Sequence, residues 1–152
     1  MKPSEKPGEI TLADLTGVPN LSIGDVLEPV SGTLIMDYEA AAAVTKGDPV
    51  YLSADGKVTS AAADQNCIGI ATKDTALGAM CPVCVRGRVK VKAGGAITRG
   101  KAVKGADASK RVVALADINE GGAATISWTS KLGVTEQSAT AADDLISIIV
   151  AK

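Results

Sequence analysis

The sequence contains the octapeptide Ala43-Val-Thr-Lys-Gly-Asp-Pro-Val50, and a similar one, Ala96-Ile-Thr-Arg-Gly-Lys-Ala-Val103, follows 53 residues later. Each octapeptide leads to a turn and then to a strand that begins with a basic residue, Lys57 in the first copy and Arg111 in the second. Such turn residues between short apolar segments are typical of antiparallel sheets. The repetition therefore predicts two related β units that close together into one domain. A coincidence of common turn chemistry is the alternative.

A second pair of similar stretches supports the repeat. Ile68-Gly-Ile70 precedes an apolar segment at 81–85, and Leu132-Gly-Val134 precedes an apolar segment at 145–150. The offset is now 64 residues, 11 more than before, so the second copy carries extra residues around 118–128. The repeat units are therefore predicted at about 43–91 and 96–152.

The remaining sequence from residue 31 onward predicts short strands separated by turns. Val-Lys-Val-Lys at 89–92 alternates with the period of two that marks a half-buried strand. Residues 39–43 and 138–144 are the two places where a short helix or a loop is equally plausible. We predict an all-β fold with little helix, a small β-barrel or sandwich over residues 31–152. The predicted strands are 32–38, 49–52, 57–60, 67–71, 80–91, 110–115, 123–129 and 145–150.

Residues 1–30 differ in character because prolines and glycines recur every few residues and prevent a long helix. Leu12 and Leu15 are among several apolar residues that make this segment too apolar for a simple linker. We predict an extended N-terminal arm that lies on a neighbouring subunit, with a flexible tail as the alternative.

The composition argues against several classes of function. The 16 basic and 17 acidic residues balance to a net charge of −1, which provides no basic surface for nucleic acid or an anionic membrane. No apolar run approaches the roughly 20 residues of a membrane span, and the N-terminus lacks the apolar stretch of a signal peptide. With no histidine among 152 residues, the common catalytic triads and histidine-based metal sites are excluded. We predict a non-enzymatic protein made in the cytoplasm, without catalytic residues, cofactor or metal.

Cys81-Pro-Val-Cys84 is a CxxC motif. In redox enzymes this motif begins a helix, which lowers the thiol pKa, whereas here the flanking residues predict a strand. Residues three apart on a strand face opposite sides, so the two sulfur atoms are expected to diverge. A small buried apolar role is predicted for both cysteines, and a redox or metal role is the alternative.

Two further features are candidates for contact with a partner. Arg86 and Arg88, with Lys90 and Lys92, alternate along one face of a predicted strand, either as a solvated edge or as a basic stripe that meets an acidic partner. Trp128 is the single tryptophan and lies in the extra residues of the second copy, where it suits an interface anchor or core packing.

Several motifs, in their order along the chain, resemble the phage capsid decoration (cement) protein family over about residues 32–152. They are Ala42-Ala-Val-Thr-Lys-Gly-Asp-Pro-Val50, Ile68-Gly-Ile-Ala-Thr-Lys-Asp-Thr-Ala-Leu-Gly78, Val83-Cys-Val-Arg-Gly-Arg-Val89 and Ala96-Ile-Thr-Arg-Gly100.

The resemblance implies a virion protein, usually a homotrimer, that binds the major capsid protein on the capsid surface. From the composition we expect no nucleic acid and no membrane as partner, and from the non-enzymatic role no small-molecule substrate. The long N-terminal arm and the insertion at 118–128 depart from the family pattern. The alternatives are another virion module, such as a tail or fibre base, or a β-barrel accessory domain of an enzyme like those attached to sugar-acid dehydratases.

Overall fold

A computed structural model describes residues 22–26, 32–61, 65–107, 109, 111–116, 118–120, 123–125 and 128–152. The described residues form eleven β-strands and one 3₁₀ helix at Trp128–Ser130, so the prediction of an all-β fold is confirmed. Neither 39–43 nor 138–144 is helical: the first contains the end of a strand and a bend, and the second contains an isolated bridge and a turn. The strands are β1 (Leu34–Ala40), β2 (Pro49–Ala54), β3 (Lys57–Ser60), β4 (Cys67–Ala71), β5 (Met80–Ala93), β6 (Ala102–Asp107), β7 (Arg111–Ala114), β8 (Ile118–Glu120), β9 (Ala123–Thr125), β10 (Gly133–Thr135) and β11 (Leu145–Ala151).

Nine of these strands join in one sheet that closes on itself twice. The order is β1-β3-β2-β4-β5-β11-β10-β6-β7, and the additional pairings β1–β5 and β5–β7 complete two rings. The first half of β5 closes a five-stranded barrel with β1, β3, β2 and β4. Its second half closes another with β7, β6, β10 and β11. The 14-residue strand β5 therefore belongs to both barrels and fixes one to the other.

The strand pairings of the second barrel repeat those of the first. Ala40 of β1 pairs in parallel with Val58 of β3, and Ala93 of β5 pairs in parallel with Val112 of β7. The isolated bridge between Val44 and Thr75 in the first barrel corresponds to the bridge between Ile97 and Ala139 in the second. Corresponding residues before the insertion lie 53 or 54 positions apart, and those after it lie 64 or 65 apart. The insertion contains β8 and β9, which form a separate two-stranded sheet.

Small branched side chains fill both barrels, since a ring of five strands leaves less interior space than the eight-stranded barrels that just accommodate side chains. The core of the first barrel consists of Ala40, Val44, Val50, Val58, Ala71, Cys81 and Val83. A second cluster fills the other barrel and continues into the junction between the two, where it includes Ala61, Cys67, Ile70 and Cys84. Gly105 of β6 lies at that junction, and a Cβ atom there would lie 2.4 Å from Cys67 Sγ and 3.1 Å from Pro49 Cβ. The absence of a side chain at Gly105 therefore permits the close approach of the barrels.

The apolar pattern alone did not predict β6, β8 or β10. β8 and β10 span three residues each, and β6 (AVKGAD) interrupts its apolar residues with Lys104 and Gly105. The segment 123–129, predicted as one strand, divides into β9 and the start of the 3₁₀ helix.

Candidate interaction surfaces

The basic residues of β5 do not form a continuous stripe. β5 is the central strand of the sheet rather than an edge. Arg88 forms an ion pair with Glu136, in which Nε donates to Oε1 at 2.9 Å and Nη2 donates to Oε2 at 2.6 Å. Such a two-pronged contact holds the guanidinium in one orientation. Arg86, in contrast, is exposed. Of the two candidate arginines, the structure thus presents Arg86 outward and engages Arg88 within the chain.

Lys90 is 2% exposed, and residues 22–26 pair with this part of β5. The Gly24 amide donates to the Lys90 carbonyl at 2.8 Å, and the Lys90 amide donates to the Asp25 carbonyl at 3.2 Å. Val26 forms an antiparallel bridge with Val89, which is fully buried. Burial lowers the pKa of Lys90. The docked segment, residues 22–26, therefore pairs with β5 at the middle of the predicted basic stripe.

The docked segment is held by the carboxylate of Asp25. Asp25 Oδ2 accepts from the Ser22 amide at 2.7 Å, and Asp25 Oδ1 accepts from Lys46 Nζ. Partial burial opposes ionisation of this carboxyl, yet the Lys46 ammonium and the Ser22 amide hold its pKa below the usual value. This part of the predicted N-terminal arm thus binds the barrels of its own chain. Leu12, Leu15 and the side chain of Trp128 lie outside the described residues.

An apolar surface that the sequence analysis missed lies on β1. Leu34, Ile35 and Met36 are consecutive and all exposed, with Leu34 at 47% and Met36 at 43%. β1 pairs with β5 from Leu34 to Glu39, but its pairing with β3 begins only at Glu39. The start of β1 therefore extends past the wall of the first barrel and exposes both of its faces. The sequence signal was an apolar run without alternation, which departs from the pattern of a half-buried strand.

A groove of about 520 Å³ lies beside the first barrel. Lys152 lines it, and its ammonium donates to the Lys131 carbonyl at 3.0 Å and also to the Thr129 carbonyl. The lining combines apolar and amide side chains with the phenol of Tyr51, the hydroxyl of Thr129 and the ammonium of Lys152, and a groove of this kind can bind a protruding side chain of a partner. The lining residues are Tyr51, Leu52, Gln65, Asn66, Ile68, Thr129 and Lys152.

The three cysteines are buried free thiols. Cys81 belongs to the core of the first barrel and Cys84 to the cluster at the barrel junction, so the pair of the CxxC motif faces opposite sides, as strand geometry predicts. Burial raises the pKa of all three thiols, and that of Cys67 to about 11. In the part of the chain that the structure describes, no three His, Cys, Asp or Glu residues are grouped to hold a metal ion. The same residues include no helix of the length and apolarity that a membrane crossing requires.

The chain is similar to known phage proteins in sequence and in fold. The model of the phage cement protein family matches the chain twice, over residues 6–76 and 60–151. Among solved structures, the chain is similar to the head fibre gp8.5 N base of bacteriophage phi29, with a TM-score of 0.52 and 16% sequence identity. That match covers 78% of this chain and 94% of the other, and at this identity it concerns the fold. Comparison with curated proteins finds no match.

Proposed function

Because the chain belongs to the phage cement protein family, we propose that it binds the outer surface of an assembled phage capsid and bridges major capsid subunits. It is a structural protein of the phage virion. The observation that carries the proposal is the pair of family matches, which together span residues 6–151. The proposed role is non-enzymatic, and the protein acts at the capsid surface after synthesis in the host cytoplasm.

The proposed mechanism is stabilisation by selective binding. A protein that binds the assembled lattice but not free capsid subunits shifts the equilibrium toward the lattice by mass action. A homotrimer that grips several subunits at once gains effective concentration, so that modest individual contacts give strong retention. A contact of standard size would bury on the order of 1,600 Å² in total.

The shared strand suits this role. Since β5 runs through both barrels, their spacing is set by continuous main chain and by the packing of Gly105 against Cys67. A rigid body of this kind loses little conformational entropy when it binds two neighbouring surfaces. The proposed capsid contacts are Arg86 and Trp128, and the arm residues Leu12 and Leu15 are proposed to contact a neighbouring subunit, whereas Arg88 is paired with Glu136 within the chain.

Co-sedimentation of the purified protein with undecorated capsids tests the proposal. We expect the protein to pellet with capsids and to raise the temperature at which they dissociate. Arg86→Glu should weaken binding, and Arg99→Glu serves as the matched control because Arg99 is also exposed but lies in a turn of the second barrel. A protein that stays in the supernatant at every concentration, and leaves capsid stability unchanged, would contradict capsid bridging.

A fibre-base role is the second candidate, favoured by the fold likeness to the head fibre N base of phi29. The two roles place the protein differently on the particle. Labelling of the protein in electron micrographs distinguishes a distribution over the whole shell from density restricted to the bases of projecting fibres.

A further inference from the structure

We propose that the outer edge of β1, from Leu34 to Asp37, binds an N-terminal segment (residues 10–18) of a second copy of this chain as an added strand. The inference rests on the proposed assembly into several copies, but it names a surface of its own. It can fail while capsid binding holds.

The second barrel shows this kind of edge in its filled form. Met36 of β1 corresponds to Val89 of β5 by the same 53-residue offset that relates Ala40 to Ala93. At Val89 the edge is occupied by the docked segment, and the side chain is fully buried. At Met36 none of the described residues pairs with the corresponding edge, and 43% of the side chain is exposed. The edge of β1 at Met36 thus corresponds to the β5 edge at Val89, but none of the described residues pairs with it.

The open edge also has the chemistry of a strand-binding site. Unpaired main-chain N–H and C=O groups at a sheet edge bind extended segments, while neighbouring side chains provide contact area. Leu34 and Met36 lie on one face of β1 and Ile35 on the other, so an added strand would meet apolar side chains on both faces. In the second barrel, the position of Ile35 is taken by Arg88, which is paired with Glu136. The first barrel therefore has the more apolar edge.

The N-terminal region itself has the properties of the occupant. Residues 24–26 of this region already fill the corresponding edge of the second barrel, so the chain uses its own N-terminus for this purpose. Immediately upstream, residues 10–18 carry the apolar residues Ile10, Leu12, Leu15 and Val18. These side chains match the apolar character of the β1 edge.

A second copy is the favoured donor because the proposed function brings several copies together. The docked segment and β1 pair with the same edge of β5, since Val26 bridges Val89 and Leu34 pairs with Arg86, each opposite β11. The open edge of β1 faces away from β5, where a neighbouring copy can reach it. One donor segment and one acceptor edge per chain make a head-to-tail contact, which can close into a ring.

Removal of residues 1–21 creates a receptor with a vacant edge and an intact docked segment. We expect the full chain to be oligomeric in size-exclusion chromatography with light scattering, and the truncated chain to be monomeric. A fluorescent peptide of residues 8–20 should bind the truncated chain, and a doubled substitution at the edge, Leu34→Lys with Met36→Lys, should reduce its affinity at least tenfold. Leu145→Lys is the matched control, since Leu145 is also 47% exposed but lies on the second barrel.

Two outcomes would overturn the inference. The first is peptide binding of equal strength to the Lys-substituted and unsubstituted truncated chains. The second is a monomeric full chain that does not bind the peptide while the truncated chain does. In that case residues 10–18 would occupy the β1 edge of their own copy. Capsid co-sedimentation of the Lys-substituted full chain separates this result from the proposed function: retained capsid binding with lost oligomerisation leaves capsid bridging intact.

Discussion

Substitution of Gly105 by alanine tests whether close packing of β6 on the first barrel holds the two barrels together. The added Cβ would lie 2.4 Å from Cys67 Sγ and 3.1 Å from Pro49 Cβ. Optimal contacts between non-bonded heavy atoms are about 3.5–4.0 Å, so the sulfur must move by more than about 1 Å or the strands must separate. Overpacking of this kind typically costs about 1–3 kcal/mol. For a chain of this size, that corresponds to a fall in Tm of roughly 2–12 °C.

The clash has a specific partner, so a second substitution should relieve it. Cys67→Ala alone leaves a small void, with an expected cost of about 1 kcal/mol. In the double variant, the alanine at 105 occupies the space of the lost sulfur. The free energy of unfolding lost in the double variant should therefore be about 1–2 kcal/mol smaller than the sum of the two single losses. Gly95→Ala is the matched control, because a Cβ at that position has no atom within 4 Å.

Urea unfolding is measured by far-UV circular dichroism for the parent, Gly105→Ala, Cys67→Ala, the double variant and the Gly95→Ala control. The free energies of unfolding are compared at constant m-value. If Gly105→Ala is as stable as the parent, or if Cys67→Ala fails to rescue it, the barrels are not held by this contact. In that case β5 and the remaining contacts at the junction would connect them.

Two further predictions concern backbone conformation and thiol ionisation. Gly78→Ala should lower stability by about 1–2 kcal/mol, since Gly78 has φ of +80° and no neighbouring atom obstructs a Cβ. Gly78→Asp should cost less, because Asp143 occupies the corresponding turn of the second barrel at φ of +69°; equal thermal unfolding temperatures for the two variants would contradict this reasoning. Burial raises the pKa of Cys67 from 9.0 to about 11, so above pH 9 the unfolded chain releases a proton that the folded chain retains. Stability should therefore fall from pH 9 to pH 11 in the parent and fall less in Cys67→Ala, as measured by urea unfolding at each pH; parallel pH profiles would show that this thiol is not protected.

Much of the architecture follows from local sequence patterns. The repeated octapeptides at 43–50 and 96–103 predicted two related units, and the structure gives those residues the same bridges and turns in each barrel. The 11-residue increase in offset located the insertion that contains β8 and β9. These features are predictable because turn chemistry and strand alternation depend on neighbouring residues alone. Short strands such as β10 escaped prediction because three residues carry too little pattern.

The candidate surfaces depended on contacts between distant segments. Alternation predicted Arg86, Arg88 and Lys90 along one strand face, yet Arg86 is exposed, Arg88 is paired with Glu136 and Lys90 is buried. A periodic pattern states which way a side chain points, but not which remote segment covers it.

The sequence by itself determined an all-β chain with two related units and an unusual N-terminal region, because those properties arise from residue type and spacing. Only the tertiary structure decided that β5 serves both barrels, that residues 22–26 pair with one barrel edge, and that none of the described residues pairs with the corresponding edge of β1. The physical reason is that ring closure and burial are set by packing between parts of the chain far apart in sequence. In the part of the chain that the structure describes, that packing gives two corresponding strand edges different surroundings.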